Sequence, residues 1–117
     1  MIVNDETVAD QWEAWARHAT ALARRLEDAG DSFDASLKAA RADAYRSAAE
    51  QLRGNTGDPG SVAGVLMRCA AQTQVRTPPL IGFDQAAVNY TRARTWQRCA
   101  RELDPTLDEV QPRWSER

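Results

Sequence analysis

The sequence predicts an all-α domain of four main helices, built as two antiparallel helical hairpins and followed by an irregular tail. Apolar residues recur at steps of three and four through most of the chain. Alanine is abundant and β-branched residues are few, which tilts the backbone towards helix. The strongest breakers, at Gly30, Gly54–Gly60 and Pro78-Pro79, cut that periodic text into four pieces. A length of 117 residues, 43% of them hydrophobic, suits one domain with one core. Residues 1–104 form the predicted helical domain and 105–117 the tail.

The first helix has the clearest pattern. Val8, Trp12, Trp15, Ala19, Leu22, Leu26 and Ala29 follow at steps of 4, 3, 4, 3, 4 and 3, a heptad stripe made for a neighbouring helix. Asn4 is positioned to cap it, with Asp5 and Glu6 in the first turn, and Gly30 is its natural stop. A second helix follows at once, with Asp31, Ser32 or Asp34 as its cap. Phe33, Leu37, Ala40, Ala44, Ala48 and Leu52 form its expected buried face, and Tyr45 lies on the flank. So short a connection implies an antiparallel hairpin. That pairing brings Asp5, Glu6, Asp10 and Glu13 near Arg46 and Arg53, and Arg24 and Arg25 near Asp31 and Asp34.

Asp58-Pro59 opens the third helix, cap followed by proline at the first helical position. Val62, Val65, Leu66 and Cys69 give its apolar face, while Gly60 and Gly64 weaken it. The fourth helix runs from Gly82 to Leu103, with Phe83, Ala86, Tyr90, Ala93, Ala100 and Leu103 as its stripe and Trp96 alongside. Asp104-Pro105 ends it. The tail beyond carries Leu107, Val110 and Trp114 among its prolines.

Catalytic motifs are missing from this text. His18 is the only histidine, too few for a zinc finger or a metalloprotease pair, and it lacks the neighbouring carboxylate that would orient it as the base of a Ser-His-Asp triad. It stands at the edge of the first stripe, with no carboxylate three or four residues away. Gly54, Gly57 and Gly60 lack the Lys-Ser/Thr of a phosphate-binding loop. No Glu-x-x-His pair marks a di-metal bundle. The expectation is a non-enzymatic protein without metal or cofactor.

Cys69 and Cys99 belong to no ligand pattern and read as free thiols in a reducing compartment. No signal peptide and no run of 18 apolar residues is present, so the expected location is cytoplasmic, without membrane contact. Lys38 is the only lysine among fifteen basic residues, a bias resembling a GC-rich actinobacterium or one of its phages.

Charge is unevenly distributed. Residues 1–58 hold seven basic and eleven acidic side chains, whereas residues 61–101 hold six arginines and one acid, Asp84. On the last helix Arg94, Arg98 and Arg101 share one side, next to Phe83 and Tyr90, and Arg92 points elsewhere. Arginine and tryptophan are hot-spot residue types at interfaces. Arg92, Arg94, Arg98, Arg101 and Trp114 are therefore the expected contacts to a protein partner, and the Trp12/Trp15 stripe is wide enough to serve a second copy. The competing expectation is nucleic acid gripped by the same arginines. Against it stand a net charge of −2, a pI near 5.4, and a connection at 77–82 longer than a helix-turn-helix uses.

Overall fold

The computed structural model describes residues 5–54, 59–75 and 83–104. It consists of α1 (Asp5–Asp28), α2 (Ser32–Gly54), α3 (Pro59–Val75) and α4 (Phe83–Leu103), with no strand among the described residues. Both expected hairpins form: α1 packs along α2, and α3 along α4. The cap at Asn4, the loop at 55–58, the break at Pro78-Pro79 and the tail with Trp114 lie outside the described residues.

Local chemistry explains the first turn. Gly30 adopts a left-handed φ of 83°, a conformation that a Cβ would strain. The Gly30 amide donates to the Glu27 carbonyl and the Asp31 amide to the Leu26 carbonyl, the paired closure of a Schellman motif. Asp31 then caps α2, its Oδ1 accepting from the Asp34 amide at 3.2 Å. The chain reverses within three residues. Arg53 at the end of α2 consequently meets Asp10 and Glu13 near the start of α1, and Arg46 Nη2 donates to Thr20 Oγ1 at 2.6 Å. The second expected set of pairs is absent: among the described residues Arg24 and Arg25 make no ion pair with Asp31 or Asp34.

The core joins all four helices. Its members include Trp12, Ala16 and Ala19 of α1, Tyr45, Ala48 and Leu52 of α2, Val62 and Leu66 of α3, and Cys99 and Ala100 of α4. The line of full burial on α1 is Ala9–Trp12–Ala16–Ala19, which keeps Trp12 and Ala19 of the predicted stripe, while its Val8, Trp15, Leu22 and Leu26 are half-buried. Small Ala9 and Ala16 let the backbones approach, which moves bulky Trp15 to the edge. Ala29 is exposed, beyond the end of α1. On α2 burial is wider than one face, taking in Ala35, Ala42 and Ala49 as well as Ala40, Ala44 and Ala48. This helix lies between α1 and α4 and touches α3 too, so alanines on several sides are covered. The face of α3 centres on Val62, Ala63, Leu66 and Ala70, with Val65 and Cys69 at its margin.

Two indoles differ in how their N–H groups are met. Trp12 Nε1 donates to Glu102 Oε2 at 2.7 Å, joining α1 to the end of α4. Trp96 Nε1 is buried with no acceptor among the described residues, an unmade hydrogen bond of the kind proteins rarely leave. Buried Thr95 turns its hydroxyl onto the Thr91 carbonyl at 2.8 Å.

Among the described residues, no helix is long and apolar enough to cross a membrane.

Candidate functional site

The two hairpins meet along α2 and α4, which run parallel. Phe33 and Ser36 share a groove with Gln85 and Val88, Asp43 faces Arg92, and Tyr45 shares a cleft with Thr95 and Arg98. Side by side, the two helices leave a trough between their exposed edges. Here that trough is a cleft of about 420 Å³.

Four arginines line it: Arg41 from α2, and Arg94, Arg98 and Arg101 from α4. The α4 three sit at i, i+4 and i+7, so helical geometry places them on one side over about 10 Å. Tyr45, Tyr90, Thr91 and Thr95 complete the walls. Arg94 lies over the Tyr90 ring, 6.0 Å from its centroid, and Arg98 over the Trp15 ring at 5.9 Å. Trp15 in turn meets Tyr45 edge-on, with centroids 5.4 Å apart. Such cation–π contacts orient the guanidinium groups while leaving their N–H donors available.

Among the described residues, Arg41, Arg94 and Arg98 have no carboxylate within ion-pair distance. The nearest acid of α4, Glu102, is engaged by Trp12. Burial pushes the Tyr45 phenol above its ordinary pKa, with Cys99 acting the same way and Arg98 opposing. Tyr45 therefore keeps its proton at neutral pH and can donate from the cleft wall. Cys99, just behind the wall, is buried, and its thiol is pushed far above the ordinary value by desolvation.

Arg94, Arg98 and Arg101 thus stand together as the sequence implied. Arg92 does not join them: its Nη2 lies 4.0 Å from Asp43 Oδ2 on the other side of α4. Trp114 lies outside the described residues. Tyr90, expected in the buried stripe, is 58% exposed, because α4 packs through Ala93, Thr95, Cys99 and Ala100 instead. Sequence reasoning missed Arg41. The available signal was its position four residues before Tyr45, on the edge of α2 that turns towards α4.

Other residues with potential chemistry are dispersed. His18 is exposed on α1, and Cys69 and Cys99 are unbridged. No group of three or more metal-binding side chains stands together among the described residues. Comparison with protein families, with curated proteins and with solved structures finds no match.

Proposed function

We propose that this chain is a non-enzymatic interaction module whose α2/α4 cleft docks an acidic segment of a protein partner. The observation carrying this reading is the convergence of Arg41, Arg94, Arg98 and Arg101 with two tyrosines on one cleft. Planar guanidinium groups match carboxylates in bidentate fashion, and desolvated Arg and Tyr are where interface energy concentrates. A compact cleft on a chain of net charge −2 suits a short acidic peptide better than the long phosphate contour of a nucleic acid. Two unbridged cysteines fit a reducing, cytoplasmic setting. The arginine-over-lysine composition fits an accessory protein of a GC-rich bacterium or its phage.

Fluorescence anisotropy with a labelled Asp/Glu-rich peptide, a labelled DNA duplex and a labelled RNA tests the reading. The peptide should bind, and Arg94→Ala/Arg98→Ala should weaken it by about tenfold or more, the equivalent of 1.4 kcal/mol. Preference for DNA or RNA through the same two arginines would replace this function with nucleic-acid binding. Binding of no probe would remove the cleft from consideration.

A further inference from the structure

The molecule carries, far from the cleft, a surface of the opposite sign. Where α1 turns into α2, Glu27, Asp28, Asp31 and Asp34 are all exposed. None of them has an ion-pair partner among the described residues, although Arg24 and Arg25 are close in sequence. The crowding acts on one group: the Asp31 hydrogen bond and charge raise the Asp34 carboxyl above its ordinary pKa, against the pull of Lys38. Half-buried Phe33 stands at the same tip, lining the groove with Gln85 and Val88. At the cleft, Arg41, Arg94 and Arg98, without an ion pair among the described residues, stand with a largely exposed Tyr90. The two surfaces therefore match in charge and each offers an aromatic ring.

They cannot meet within one molecule. Arg41 lies ten residues along α2 from Asp31, about 15 Å on a helix, and a continuous helix cannot fold back on itself. We infer that the acidic α1–α2 tip of one copy docks in the arginine cleft of a second copy. This inference rests on the cleft reading above and names its occupant. Because tip and cleft are different surfaces, the contact either closes as a reciprocal two-fold pair or, made head to tail, gives a ring or a growing array.

Charge exchange tests this directly. Glu27→Lys/Asp28→Lys brings the four tip side chains to no net charge, at the C-terminal end of α1, where cations suit the helix dipole. Arg94→Glu/Arg98→Glu does the same for the four cleft arginines, at exposed positions. Sedimentation velocity across a wide concentration range should show the wild-type chain self-associating, and raising salt to about 0.5 M should weaken that association because exposed charges are screened. Each variant alone should associate more weakly than the wild type, since one of its two surfaces no longer carries net charge. Mixing the two should restore association, because the acidic tip of one variant then meets the arginine cleft of the other.

A wild-type chain that stays monomeric at millimolar concentration in low salt would overturn the inference. So would association undiminished in both variants, or association indifferent to salt, a readout that needs no variant to fold. Acidic-peptide binding by a strictly monomeric wild type would leave the cleft reading standing while removing the second copy as its occupant. Failure of both peptide binding and self-association would remove both.

Discussion

The link between Trp12 and Glu102 joins the first helix to the last, and its energy is open to direct measurement. Trp12 is fully buried and its indole donates to a carboxylate at 2.7 Å. A hydrogen bond to a charged group contributes roughly 1.5–3 kcal/mol. Glu102→Ala strands a buried donor, so the expected loss is about 1–3 kcal/mol. Trp12→Phe removes the donor and part of a well-packed ring, for a loss of about 2–3 kcal/mol from the bond and the space left behind. Glu102 is exposed, so water takes the place of the lost indole and no further penalty arises there. The informative comparison is Glu102→Ala made in the Trp12→Phe background, where its cost should fall to about 0.5 kcal/mol or less. Urea unfolding followed by circular dichroism supplies all four corners of the cycle. Equal cost of Glu102→Ala in both backgrounds would refute the bond as an energetic link between α1 and α4.

Trp96 makes a useful contrast, because its buried Nε1 has no acceptor among the described residues; Trp96→Phe relieves an unmet donor and should destabilise less than Trp12→Phe by about 1 kcal/mol or more, as read by the same unfolding curves. Gly64 is exposed in α3 with nothing within 4 Å of an added Cβ, so Gly64→Ala should raise stability by about 0.5–1 kcal/mol. Gly30→Ala should do the opposite, by about 1–2 kcal/mol, because the turn demands φ 83°. Thermal melts of the two variants should therefore shift in opposite directions. Cys99 keeps its proton in the folded state to higher pH than in the unfolded state, so its contribution to stability is complete below the ordinary thiol pKa and declines as pH rises above about 9. Cys99→Ala should flatten the alkaline loss of stability, and in the wild type a thiol reagent should modify half-buried Cys69 well before Cys99.

Helix number, hairpin pairing and the turn at Gly30 were legible because each rests on local rules: heptad spacing, a left-handed glycine and an aspartate cap. The finer placement of the faces was not. Alanine carries a weak hydrophobic signal, so the stripe read from the sequence took Val8 and Trp15 beside Trp12 and Ala19, whereas the buried line holds Ala9 and Ala16 in their place. Tyr90 misled for a related reason: an aromatic at a stripe position looks like core until the neighbouring helix is known. The arginine cluster on α4 was half visible. Helical periodicity grouped Arg94, Arg98 and Arg101 and set Arg92 apart, and the structure keeps that division. Arg41 came from another helix, and only the parallel contact of α2 with α4 brings it into the cleft.

Docking of an acidic segment in the α2/α4 cleft can be followed residue by residue with two-dimensional amide NMR during titration with the Asp/Glu-rich peptide. The largest shifts should fall at Arg41, Tyr45, Tyr90, Thr91, Arg94, Thr95 and Arg98, on both walls of the cleft at once. Shifts concentrated instead along the groove of Thr20, Ala23, Ser36 and Ala39 between α1 and α2, with the cleft silent, would contradict it.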